Sequence, residues 1–176
     1  MNTFLTARMK HSPEEFFAIY QSGDEHELFN GRSLLLYALG NGDAHTRYTI
    51  AEFLIGRDCL IGPPGPQGHT SLHVLFSHYD RDLSRDLEIA RWLIDHGVDV
   101  NARDYRGTVA FCELLINGGT DEELSDLYDL LLSQPNLDLT TPNVFGYTPI
   151  DLAECRPHRA TLTARMKEYV HDHPRA

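Results

Sequence analysis

The 176-residue sequence predicts an all-α repeat solenoid, in which stacked helix pairs are joined by short extended arms. Three observations carry this. Apolar residues recur at helical spacing, as in Leu87, Ala90, Leu93 and Ile94, which gives such segments one buried stripe. The segments are punctuated by a glycine, a short alternating run and a polar turn. The clearest case is Gly97-Val98-Asp99-Val100-Asn101, running on to Asp104-Tyr105-Arg106-Gly107. Glycine tolerates the positive φ that ends many helices, and Val98 and Val100 alternate with polar neighbours at strand period. Finally, the arrangement recurs: Gly31, Gly68, Gly107 and Gly146 open similar stretches at intervals of 37, 39 and 39 residues. A period of roughly 20–50 residues is the mark of a stacked array.

Taken in order, Ser12-Pro13-Glu14-Glu15 predicts a helix start, with Ser12 as cap, Pro13 in the first turn and Glu15 closing a capping box. Phe16, Phe17, Ile19 and Tyr20 supply its apolar face and Gly23 its end. Residues 1–30 are read as an N-terminal capping region, because arrays need atypical end units with one polar face. Residues 31–170 form the array, with units starting near 31, 68, 107 and 146, and residues 171–176 a frayed tail. In the first unit, Gly40-Asn41-Gly42-Asp43 is a loop and residues 49–60 a second helix. Gly62-Pro63-Pro64-Gly65-Pro66-Gln67-Gly68 is a stiff, exposed turn. Second helices follow over residues 83–96 and 122–132, the latter after the loop Asn117-Gly118-Gly119-Thr120. Asn136-Leu137-Asp138-Leu139-Thr140 repeats the arm, with Asn136 at the position of the positive-φ glycine. A closing helix spans residues 159–170, its Arg156, Arg159, Arg165, Lys167 and Glu168 read as a solvated outer face.

The unit starts Gly68-His69-Thr70-Ser71-Leu72-His73-Val74-Leu75 and Gly146-Tyr147-Thr148-Pro149-Ile150-Asp151-Leu152-Ala153 resemble the opening of an ankyrin repeat, G-x-T-P-L-H-x-A. Gly31-Arg32-Ser33-Leu34-Leu35-Leu36-Tyr37-Ala38 fits with serine for threonine. The start at Gly107 is the most divergent, with Val109 in the threonine position and Ala110 in the proline position. The resemblance implies about four ankyrin repeats, stacked helix-turn-helix pairs with hairpin-like arms. It implies a non-enzymatic protein–protein interaction module, an adaptor or inhibitor, whose contact face is made by the hairpin tips and the surface of the first helices. On this sequence the tip positions are Pro66, Gln67 and His69; Tyr105, Arg106 and Thr108; and Val144, Phe145 and Tyr147. First-helix surface positions include Ser77, His78 and Arg156. Tyr105, Arg106, Phe145 and Tyr147 stand out, because aromatics and arginine are the usual hot-spot residues. His73 falls at the family's structural histidine, which hydrogen-bonds local backbone. The family period is about 33 residues. The surplus lies between the two helices of each unit, at residues 40–47, 76–84 and 117–121, along the edge remote from the tips.

Composition bounds the function. A formal charge of -11 argues against non-specific nucleic-acid binding and permits a basic protein partner. An immunity-type inhibitor of a basic toxin or nuclease is therefore an alternative. Cys59, Cys112 and Cys155 are widely spaced and form no disulfide framework or zinc motif; Cys112 and Cys155, near first helices, are expected to be small buried thiols. No apolar run approaches a membrane span or a signal peptide, so a cytoplasmic location is expected. No nucleotide-binding, metalloprotease or nucleophile-elbow signature occurs, and no cofactor is implied. The rival from another class is a metal-dependent enzyme using histidines such as His69 and His73, or His171 and His173. The acidic clusters at residues 80–86 and 121–126 are read as solvated loops. Oligomeric state is not readable from the sequence.

Overall fold

The computed structural model describes residues 2–117 and 119–174. Gly118 of the expected loop, and Arg175 and Ala176 of the expected tail, lie outside the described residues. The described chain is mostly helical: α1 (Thr3–Met9), α2 (Pro13–Phe17), α3 (Leu34–Leu39), α4 (Ala44–Ile55), α5 (Ser71–Phe76), α6 (Leu83–Asp95), α7 (Phe111–Ile116), α8 (Ser125–Leu132), α9 (Pro149–Glu154) and α10 (Ala160–Asp172). A two-stranded hairpin, β1 (Leu28–Phe29) and β2 (Arg32–Ser33), precedes α3.

Local capping sets where the first helices begin. Ser33, Thr70 and Thr148 each occupy the N-cap, their hydroxyls accepting from the backbone N–H three residues on. Thr70 pairs with His73, and Thr148 with Asp151, in reciprocal capping boxes. At the divergent unit Val109 has no hydroxyl, and α7 starts one position later behind an uncapped Ala110. Val109 is instead fully buried and bridges Arg103 across the arm. The long second helix α6 closes with a Schellman arrangement: the Val98 N–H reaches Leu93 O and the Gly97 N–H reaches Ile94 O, with Gly97 at φ 88°.

The first helices α1, α3, α5, α7 and α9 pack on one another in sequence. Behind them α2 packs on α4, α6 on α8 and α8 on α10. Glu52 of α4 and Arg85 of α6 form an ion pair at 2.5 Å. Leu35, Leu39, Leu72, Leu75, Leu114 and Leu115 are essentially inaccessible between the layers. Each such side chain contributes about 1.5–3 kcal/mol through burial.

Several boundaries and environments differ from the sequence reading. Residues 3–9, read only as part of a cap, form α1, whose N-terminus is capped by Asn2 through a bond from the Leu5 N–H. Ser12 does not cap α2; its hydroxyl donates to Glu14 at 2.5 Å, and the helix stops at Phe17. The second helix of the first unit starts at Ala44, not 49, because the Asp43 carboxylate captures the Thr46 N–H. α8 starts at Ser125, and α10 continues through His171 and Asp172. Asn136 keeps a negative φ. Arg159 is 1% exposed, not solvated, and Asp86 is fully buried. Cys112 is buried, but Cys155 is exposed at the C-cap of α9.

The edge between the helices of each pair carries the period surplus. It is packed down by polar side chains that reach into the preceding unit. Asn41 donates to Ala7 O and Lys10 O at the end of α1, both at 2.7 Å. His78 donates to Leu39 O at the end of α3 (2.8 Å), and Asn117 to Phe76 O at the end of α5 (3.2 Å). Arg159 donates to Leu114 O (3.1 Å) and Leu115 O (3.4 Å) near the end of α7, and to Gly119 O. Each satisfies carbonyls that a helix C-terminus leaves unpaired. Further struts run along the same edge. Buried Arg47 bonds Asn41 O and Asp80 O, and Arg81 bonds Asn117 O and Asp86. Asp86 also accepts from the Tyr48 hydroxyl at 2.8 Å. Burial pushes the Asp86 carboxyl up and the Tyr48 phenol up to about 12.

Candidate functional site: hairpin tips and first-helix surface

The opposite edge is built from hairpin tips, and backbone chemistry makes it. In each of the segments 65–69, 104–108 and 143–147 the first residue's N–H donates to the fifth residue's carbonyl, at 2.8–3.0 Å, and the fourth residue's N–H returns to the first carbonyl. Asp104 and Asn143 stiffen their tips further. Their side-chain oxygens accept from the N–H groups of Arg106 and Thr108, and of Phe145 and Tyr147. Gly65 occupies the same place in the first of the three and has no side chain to do this. Successive tips are tied by single backbone bonds, Tyr105 N–H to Gln67 O (2.8 Å) and Val144 N–H to Arg106 O (2.9 Å). Gly68 is required where these tips meet. Its φ is 76°, and a Cβ there would stand 2.9 Å from Arg103 O and Asp104 Cα.

Because the backbone closes the tips, their aromatic side chains are not needed to hold the turns. Tyr105, Val144, Phe145 and Tyr147 are exposed, with Phe145 at 68%. Tyr105 lies 6.3 Å from the His69 ring, and Arg106 sits 5.1 Å over the Tyr105 ring while its Nε donates to the hydroxyl. Thr108 is half-buried, and its carbonyl accepts from His73 Nε2 and the Asp104 N–H. That assigns the proton of the buried His73 ring to Nε2, leaving Nδ1 to accept from the Thr70 N–H (3.2 Å). His73 therefore joins its own cap to the next tip. Burial holds its pKa below the ordinary 6.5.

Five of the predicted contact positions, Pro66, Gln67, His69, Ser77 and His78, line one open groove of about 510 Å³. Its other walls are Leu36 and Tyr37 of α3, Val74 of α5, Arg8 of α1 and Arg32 of the β hairpin. His78 serves two ends, since its Nε2 is committed to Leu39 O. Burial, followed by the Arg47 charge, holds its pKa down. Tyr147 lines a separate, more open depression of about 450 Å³ with Asp151, Glu154 and Cys155. Tyr105, Arg106, Val144 and Phe145 line neither. Arg156 is turned back on its own helix, bonding Leu152 O. Arg8 and Arg32 escaped the sequence reading. Arg8 lies in the unread helix α1, for which Asn2 as a cap ahead of Phe4 and Leu5 was an available signal.

Among the described residues no group of three or more His, Cys, Asp or Glu side chains is arranged to hold a metal ion. His69 and His73 stack at 5.7 Å, with His69 Nε2 3.5 Å from Asp104. No helix among the described residues is long and apolar enough to cross a membrane.

Residues 67–105 match the family model described as Ankyrin repeat, which spans one unit from tip to tip. No curated protein matches the chain. Among solved structures, the crystal structure of a functionally unknown protein from Leptotrichia buccalis C-1013-b is similar, with a TM-score of 0.84 and 23% identity over 99% of this chain and 96% of that chain. That likeness concerns the fold alone.

Proposed function

We propose that this chain is a non-enzymatic protein-binding module of about four ankyrin-like repeats, presenting its tips and first helices as one rigid concave face. The carrying observation is the division of labour at the tips: backbone bonds fix each turn and tie it to the next, while large aromatic side chains remain exposed. Exposed Phe145 and Tyr105 contribute little to the core, and preorganised aromatic anchors lower the ordering cost of association. The ankyrin match at residues 67–105 supports protein interaction as the mode. The module acts as an adaptor or an inhibitor. The net charge of -11 supports the sharper alternative, an immunity-type inhibitor of a basic toxin or nuclease.

The test is affinity capture with the wild-type chain beside a Tyr105→Ala plus Phe145→Ala variant. Loss of the captured partner from the variant, with its unfolding midpoint unchanged, is the expected result. Equal recovery by both chains overturns the assignment of the tips as the contact face.

A further inference from the structure

We propose that the groove between the β hairpin, α1, α3 and α5 receives an acidic segment of the partner protein, a peptide carboxylate beside an apolar side chain. The groove's charge runs against that of the whole chain. The protein carries 26 acidic residues against 15 Lys and Arg, yet no carboxylate lines the groove. Arg8 and Arg32 both do.

Neither arginine forms an ion pair among the described residues, in contrast to Arg81, Arg85, Arg103, Arg159 and Arg165, which all face carboxylates. Arg8 lies over Gly40, where an added Cβ would meet its Nε at 2.8 Å, so the absence of a side chain at residue 40 makes room for the arginine. Arg32 sits 5.8 Å from the Tyr37 ring centre, and its Nε is buried without a hydrogen-bond partner. A carboxylate matches the fork geometry of a guanidinium, and an unpaired arginine at a groove wall offers it that fork. Leu36 and Val74 provide the apolar wall for a neighbouring side chain.

A macromolecular segment fits better than an isolated small anion. The groove is open and is lined in part by Gln67, whose carbonyl is tied to Tyr105 of the next tip. A chain leaving it along the tips meets Tyr105 and then Phe145. At the far end Asp151 and Glu154 line the second depression, so the face is cationic at one end and anionic at the other. That polarity orients the bound segment with its acidic part towards α1. A nucleic acid would have to pass the same carboxylates and the overall negative charge.

This inference rests on the tip face being the contact face, and its test separates the two. A phage-displayed random peptide library is selected on the full-length chain. Enriched peptides are synthesised with a fluorescent label and titrated by anisotropy against wild type, Arg8→Gln plus Arg32→Gln, and Tyr105→Ala plus Phe145→Ala. The expected result is enrichment of Asp or Glu next to apolar residues, with binding weakened roughly 10- to 100-fold in the double-glutamine variant. Arg8→Lys plus Arg32→Lys, which keeps the charge but not the fork, recovers part of the loss. Circular dichroism confirms that each variant is folded. A basic or neutral consensus, acidic peptides that bind the glutamine variant equally, no enrichment at all, or competition by inorganic phosphate as strong as by the peptide would each overturn the proposal. Peptides sensitive to Tyr105→Ala plus Phe145→Ala but not to the glutamine changes would leave the contact face standing and sink the anion site alone. Insensitivity to both sets of changes would sink both.

Discussion

The two long edges of this molecule are held by different chemistry. At the tips, backbone N–H and carbonyl groups close each turn and link it to the next, and the large aromatic side chains are left over. At the inter-helix edge, side chains do the joining. Asn41, His78, Asn117 and Arg159 each reach the end of the first helix one unit back, and Arg47 and Arg81 brace the loops. The lesson concerns freedom to vary. A tip can exchange Tyr105 or Phe145 without losing its bonds, whereas Asn117 or Arg159 cannot change without stranding carbonyls. The residues added between the helices include the cross-unit donors Asn41, His78 and Asn117, and in the first pair α4 is itself longer than expected, starting at Ala44.

Breaking the inter-helix edge should produce the largest effect. Arg159→Ala removes bonds to Leu114, Leu115, Gly119 and Asp121 from a site 1% exposed. A loss of about 3–5 kcal/mol in urea unfolding is expected, as for removal of one partner of a buried ion pair. A value below about 1 kcal/mol, the scale of a surface pair, would erase the contrast between the edges.

Acidification should act next, and on both edges, because His73 and His78 each join one unit to another. Their folded pKa values lie below the ordinary 6.5, so below that pH the unfolded chain binds more protons than the folded one. Stability is fully present above the ordinary value and is lost as pH falls through it towards the folded values. Urea midpoints should therefore drop between about pH 7.5 and about pH 5.5, with a shallower slope in His73→Gln. An unchanged slope in that variant would remove His73 from the account.

The smallest stability effect belongs to the tips. Phe145→Ala should shift unfolding by no more than about 0.5 kcal/mol, since its ring is 68% exposed. A larger loss would mean that the ring packs in solution, and the distinction between structural and spare side chains would fail there.

What was legible in the sequence is what is local. Thr70, Thr148 and Ser33 cap helices through atoms three residues away, and Gly97 closes α6 within one turn, so pattern and spacing were sufficient. Tip exposure at Tyr105 and Phe145 followed from turn position in the same way. Arg159 and Asp86 read as solvated because Leu114 and Tyr48, which they bond, lie some 40 residues away, and a charged side chain carries no mark of a distant partner. The groove was half legible. Its tip and α5 walls were anticipated, but Arg8 and Arg32 enter it only through the docking of α1 and the β hairpin.

The back-reaching caps give the chain a direction in time as well as in space. On a ribosome, each of the helices α1, α3, α5 and α7 emerges with its terminal carbonyls bonded only to water. It waits for Asn41, His78, Asn117 or Arg159, which emerge about 30–45 residues later. Until the following helix pair is made, the last turns of α1, α3, α5 and α7 lack these side-chain partners. α9 departs from this pattern: Arg156 meets the Leu152 carbonyl from within the same unit, so its last turn is satisfied as soon as it is made.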